Sequence, residues 1–215
     1  MGEMSRRSIP YTPFGRDLGS TVVAIASATG VHLRSQEAFS TEDPGEISHR
    51  VVPGDADVGE LVISHHHYDH TDADRDPNIV FPLATLQELV AEGVIAGVAE
   101  KHYTYGFTTR LRELYEETFP HIVREIERSK TDAVVLTAGC PGVCHRSIVH
   151  LQREIEMRAI ATVAITVSPE NTASMRPPRA LHPEGFGLGR VLGPPGRRDV
   201  HRAVMLAALE HLSAG

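Results

Sequence analysis

Four short apolar runs punctuate the chain at wide intervals, at residues 21–26, 60–64, 133–138 and 162–167. Each is rich in β-branched side chains and too short for a buried helix, the pattern of strands covered on both faces. Between and after them the apolar positions recur at helical spacing. Pro82 is well placed to open a helix that has Leu83, Leu86, Val90 and Val94 on one face, with Gly93 and Gly97 ending it. Residues 108–130 form a second helical pattern, with Leu111, Leu114, Tyr115, Ile122 and Ile126 inward, and Pro120 must kink it or begin a new helix. Residues 145–158 and 200–212 complete the set. Strands alternating with helices predict βαβ units, hence an α/β fold: a three-layer, Rossmann-like sandwich around a mainly parallel sheet.

The remaining segments read as connections. Residues 1–20 form an N-terminal arm, because Pro10 and Pro13 bar helix, while Tyr11 and Phe14 can pin it to the core. Residues 40–59 and 71–78 are polar loops. Residues 168–198 hold six prolines and five glycines and show no periodicity. A structureless stretch of that length is functional or disordered. Its arginines suggest a lid for an anionic group, with Arg176 and Arg179 as candidate substrate-binding residues that fork onto a carboxylate; the alternative is a solvated loop or one that packs on a second subunit. The length, 215 residues, suits a single domain over 1–215.

Composition narrows the function classes. A net charge of −7 and the lack of Trp argue against nucleic-acid binding. No apolar run reaches the ~18 residues of a membrane helix. No apolar leader opens the sequence, so a cytoplasmic protein is expected. Two cysteines make no disulfide framework. Histidine, with 13 copies, is over-represented.

Both cysteines fall in one predicted strand-to-helix turn, Cys140-Pro-Gly-Val-Cys144, followed by His145 and Arg146. That turn lies at the carboxyl end of a parallel strand, where α/β sheets bind ligands. The helix after it aims its free N–H groups back at the turn and favours a thiolate, with His145 and Arg146 expected to add to that effect. Cys140, Cys144 and His145 are therefore the candidate catalytic residues, and Arg146 a candidate for substrate binding. The residue spacing is one longer than in thioredoxin-type pairs.

The second constellation is His65-His-His-Tyr-Asp-His70. His65, His67, Asp69 and His70 fit the H-x-H-x-D-H signature of metallo-β-lactamase-like hydrolases. Thr71-Asp72 stands where that pattern has a Gly pair, and no downstream Gly-His turn follows. A zinc or iron site on another fold is the alternative reading, with His65, His67 and His70 joined by Cys140 and Cys144 as candidate ligands. No cofactor is assigned with certainty by the residues alone.

Ordered segments along the chain resemble the glycine/sarcosine/betaine reductase selenoprotein B family, and within it the short members related to D-proline reductase. They are I-P-Y-T-P at 9–13, T-G-V-H-L-R at 29–34, I-S-H at 63–65 with Asp69, and D-P-N-I-V-F-P at 76–82. The helix at 86–93, D-A-V-V-L at 132–136 and C-P-G-V-C-H at 140–145 continue the series. R-P-P-R-A-L at 176–181, G-L-G at 187–189 and G-P-P at 193–195 end it. The resemblance implies a thiol-based oxidoreductase that cleaves a C–N bond of a small amino-acid-derived substrate. Cys140 and Cys144 would stand at the redox motif, with a partner subunit that activates the substrate, or a homo-oligomer. It also leaves open a non-catalytic subunit of a complex. Two departures stand out: no selenocysteine is present, and the cysteines are one residue further apart than expected.

Overall fold

The structure, a computed structural model, describes residues 9–213. Residues 1–8 of the expected arm lie outside the described residues. Its centre is a sheet in the order β3-β6-β1-β7-β8-β9, with β5 also paired to β1. These strands are β1 (Val22–Ala28), β3 (His49–Pro53), β5 (Gly97–Val98), β6 (Lys101–Tyr105), β7 (Ala133–Ala138), β8 (Ala161–Ile165) and β9 (Ala180–Leu181). All neighbours run parallel except β3, which pairs antiparallel with β6 at one edge.

The sheet alternation shows why there are three layers. Val23 and Ile25 of β1, Val135 of β7 and Val163 and Ile165 of β8 face α2 (Leu83–Ala91) and α7 (Arg198–Ser213). Ala24, Ala26 and Ala28 of β1, with Val134 and Leu136 of β7, face α4 (Phe119–Arg128) and α5 (Val143–Glu156). Fully burying a Val or Ile side chain is worth roughly 1.5–3 kcal/mol, so these central strands anchor the fold. The expected α/β architecture with a mainly parallel sheet is the one found.

β3 and a short helix, α1 (Thr71–Arg75), form in stretches expected to be polar loops, and β6 forms where no apolar run announces it; three further elements differ from the sequence expectation. The run at 60–64 is no member of the parallel sheet. Its core, β4 (Leu61–Ile63), pairs antiparallel with β2 (Val31–Leu33) in a separate ribbon. Gly30, at φ +71°, opens this ribbon directly after β1, and a side chain there would meet the Ser64 carbonyl at 2.3 Å. The ribbon thus returns the chain to the carboxyl end of β1 at Ser64. Second, residues 111–128 are helical throughout, with a wide π turn over Leu114–Thr118 just ahead of Pro120. A proline ring collides with the carbonyl four residues before it, and a widened turn relieves that contact. Third, residues 168–198 are not structureless. They hold α6 (Pro169–Met175) and β9, and then pack inward, with the Leu192 amide donating to the Ile79 carbonyl at 2.9 Å.

Candidate functional site

β7 ends at Ala138, and the chain turns through Cys140, Pro141 and Gly142 into α5. Gly139 is needed here because the Tyr68 ring lies against its backbone. A Cβ at this position would stand 2.2 Å from Tyr68 Cε1. Tyr68 is itself fixed by its hydroxyl, which donates to the Thr29 carbonyl at 2.9 Å. The cysteine turn is therefore clamped between the end of β1 and the histidine segment.

The two sulfurs differ in environment. The Cys144 amide donates to Cys140 Sγ at 3.3 Å across the first turn of α5. The Cys140 thiol is lowered to about 7, first by the Cys144 thiol that hydrogen-bonds to it and then by the amides of Cys144, Gly142 and Val143, against the opposing effect of burial. The Cys144 thiol is pushed well up by donating to Cys140 and by its own burial. The start of α5, with its dipole and free N–H groups, favours a thiolate at Cys140 over one at Cys144. Both sulfurs are buried and neither is in a disulfide.

His65 reaches this pair from the other side, and its Nε2 lies 3.2 Å from Cys144 Sγ. The convergence of the two segments expected from the sequence is present, although β4 reaches the site from a ribbon and not from a neighbouring sheet strand. The His67 amide donates to His65 Nδ1 at 3.1 Å. Burial, followed by repulsion from His67, His66 and His70, pushes the His65 imidazole down to about 3.

The other sequence candidates scatter. His145 is turned away and its Nε2 meets Thr172 Oγ1 at 2.9 Å, which leads on through Thr166 to His182. Burial, then His182, lowers its pKa to about 4, so a neutral His145 lends the thiolate no charge. His67 stacks on Phe107, with centroids 3.3 Å apart, and His70 binds the Asp74 carboxylate at 2.9 Å. Arg146 and Arg176 are exposed. Arg179 is buried and pairs with Glu156 at 2.8 Å. Glu156 ends α5, twelve residues beyond Cys144 or about 18 Å along the helix, so Arg179 does not serve the cysteine pocket as a substrate ligand. The long segment nonetheless touches the site. Asn171 Nδ2 donates to the Pro141 carbonyl at 3.0 Å, and Gly189 packs so close to Tyr68 and Asp69 that no side chain fits there.

Among the described residues, His65, Cys140 and Cys144 place three ligand atoms within reach of one ion, and Asp43, His66 and His67 form a second such group. His70 belongs to neither. A zinc or iron ion bound at His65 Nε2 needs the ring proton on Nδ1, yet Nδ1 accepts from the His67 amide. The donor types therefore suit zinc or iron, whereas the tautomer held here does not suit ligation at Nε2.

The chain is a member of the glycine/sarcosine/betaine reductase selenoprotein B family, which matches residues 18–139 and so ends one residue before the cysteine turn. It is 35% identical over 203 residues to the D-proline reductase subunit gamma of Acetoanaerobium sticklandii, covering 94% of this chain and 82% of that one. It is 26% identical over 213 residues to the glycine reductase complex component B subunit gamma of Symbiobacterium thermophilum, covering 95% of this chain and 49% of the relative. Its likeness to the same component from Carboxydothermus hydrogenoformans is 28% over 160 residues, with 72% and 36% covered. The chain spans about half the length, or less, of these two glycine reductase subunits. No solved structure matches it.

The histidine spacing points to His65 as a metal ligand and leaves Tyr68 unmarked. The aromatic residue inside the histidine run was the one available signal for Tyr68. Its contact with Gly139 joins residues 71 positions apart and has no local signature.

Proposed function

We propose that this chain is the thiol-bearing subunit of a reductase complex acting on a small amino-acid-derived substrate. Cys140 is the attacking sulfur and Cys144 the resolving one. The net change is the reductive opening of a C–N bond: two thiols give up two electrons and two protons and become a disulfide, the carbon gains one hydrogen and the nitrogen the other. The observation that carries this reading is the Cys144 amide donating to Cys140 Sγ at 3.3 Å at the start of α5, where the Cys140 thiol is lowered to about 7. The names of the relatives as gamma subunits support a partner subunit that presents the activated substrate. No helix among the described residues is long and apolar enough to cross a membrane, and a reducing cytosol would keep the pair as dithiol between turnovers. The test is alkylation of the reduced protein with iodoacetamide, followed by peptide mapping. Cys140 is modified first, and preference for Cys144 or equal labelling overturns the assignment.

A second reading is a zinc or iron centre on His65, Cys140 and Cys144, favoured by their three atoms being within reach of one ion. The His67 amide on His65 Nδ1 weighs against it. Thiol titration with and without a chelator separates the two readings. The redox pair gives the same count and rate in both, whereas a metal centre gives thiols that react only after chelation.

A further inference from the structure

Cys144 has to lose its proton before it can close a disulfide, and the buried group beside it is His65. One contact sets what that ring can do. The His67 amide donates to Nδ1, so Nδ1 is an acceptor and the ring proton resides on Nε2. Nε2 is 3.2 Å from Cys144 Sγ, and the proton therefore points at the sulfur. The ring is packed against Tyr68, with centroids 4.7 Å apart, and has Phe107 at its edge at 6.1 Å. Turning it over would break both hydrogen bonds. His65 thus offers Cys144 a donor and not a base.

We propose that His65 is the hydrogen-bond donor to the resolving sulfur, turning the Cys144 S–H bond toward Cys140 in the reduced pair and holding the Cys144 thiolate when it attacks the Cys140 adduct. The inference rests on the cysteine-pair reading. With Nε2–H on one side of Cys144 Sγ, the S–H bond is free to turn toward Cys140. Once Cys140 carries a group X derived from the substrate, Cys144 Sγ bonds to Cys140 Sγ and the bond from Cys140 to X breaks. Cys144 gives its proton to water, and X departs with that electron pair and takes a proton back from water. The two sulfurs end as a disulfide, and X is reduced by two electrons. Between proton loss and S–S bond formation a negative charge rests on a buried sulfur, and a charge-assisted hydrogen bond lowers its cost. With the proton on Nε2, a metal would find no free lone pair there.

The test uses 5,5′-dithiobis(2-nitrobenzoate) as an artificial X on the full chain. Attack by Cys140 releases one thionitrobenzoate and leaves a mixed disulfide, and attack by Cys144 on Cys140 then releases the second. His65→Leu removes the donor. His65→Gln keeps an amide N–H of similar reach but has no basic nitrogen. His65→Leu is expected to slow the second release about tenfold or more and the first release less. His65→Gln is expected to retain most of the wild-type rate for the second release. Equal second-release rates in wild type and His65→Leu overturn the inference. So does a His65→Gln protein, folded as judged by circular dichroism, that is as slow as His65→Leu, because that result makes His65 a base. Failure of the underlying reading shows in the wild type alone, as a first label on Cys144 or no second release, and takes this inference with it.

Discussion

Arg179 and Glu156 meet at 2.8 Å with both side chains out of solvent. The pair ties the residue preceding β9 to the last turn of α5. Glu156 also accepts from the Thr162 amide at 2.9 Å and from the Thr12 amide of the N-terminal arm, while the Arg179 guanidinium lies 3.9 Å from the centre of the Tyr11 ring. This is a clasp between distant parts of the chain. Removing one partner leaves the other charge buried and alone, at a cost of about 3–5 kcal/mol. Arg179→Ala is expected to lower the urea midpoint accordingly, while Arg146→Ala and Arg176→Ala, both exposed, stay within about 0.5 kcal/mol. An Arg179→Ala protein as stable as wild type would show that the clasp holds nothing.

Reactivity of the cysteines should separate with pH. The thiolate is the reacting form, and Cys140 has its pKa lowered to about 7 while that of Cys144 is raised. Alkylation of Cys140 is expected to climb about tenfold per unit below pH 7 and to level off above it. Cys144 should stay slow throughout the neutral range. Site-resolved mass spectrometry across pH 5–9 checks this, and a Cys140 profile centred near 8.5, the value of a free thiol, would contradict it.

Acid should weaken the fold through buried imidazoles. Burial lowers His65 to about 3 and His102 and His145 to about 4, against about 6.5 in an unfolded chain. Below pH 6.5 the unfolded state takes up protons that the folded state refuses, so stability is full above 6.5 and is lost as pH falls toward 4. Each group contributes up to about 1.4 kcal/mol per pH unit in that window. Urea midpoints measured from pH 7 to 4 should fall steeply, and His102→Gln should flatten part of the slope. A midpoint constant over this range would refute the assignment.

Gly139 allows no side chain. Gly139→Ala would force Tyr68 off the turn, and overpacking of this kind costs about 1–3 kcal/mol. Replacing Tyr68 with Leu in the same protein makes room and should recover part of the loss. A double-mutant cycle on thermal stability measures the coupling, and strictly additive effects would mean that the ring and the turn do not press on each other.

The sequence revealed the interior strands because β7 and β8 are nearly pure apolar runs with one environment on each side. β6 escaped notice because Lys-His-Tyr-Thr-Tyr looks polar. Its burial depends on His102, whose Nδ1 takes the Ile25 amide at 2.9 Å where a strand neighbour would offer a carbonyl. The three apolar residues of β4 carry no information about their partner, so ribbon and sheet looked alike. α6 begins on a proline and shows no apolar stripe, which hid it within a proline-rich stretch. At the site, the Gly-Pro-Gly composition gave the turn away, and the position of His65 beside it followed from the histidine run. Its role did not, because the tautomer is set by the main chain two residues later. The burial of Arg179 depends on an acid 23 positions earlier, a distance that local pattern cannot bridge.

The α5 helix, 14 residues long, carries the cysteine pair at its first turn and the Glu156 clasp at its last. Its two ends therefore answer to different probes. Oxidising Cys140 and Cys144 would change amide hydrogen exchange over residues 143–147, where one of the donated N–H groups loses its anionic acceptor. The amides near residue 156 would keep their protection, because the contacts with Thr12, Thr162 and Arg179 do not involve sulfur. A single labelling experiment would then read redox state at one end of the rod and integrity of the fold at the other.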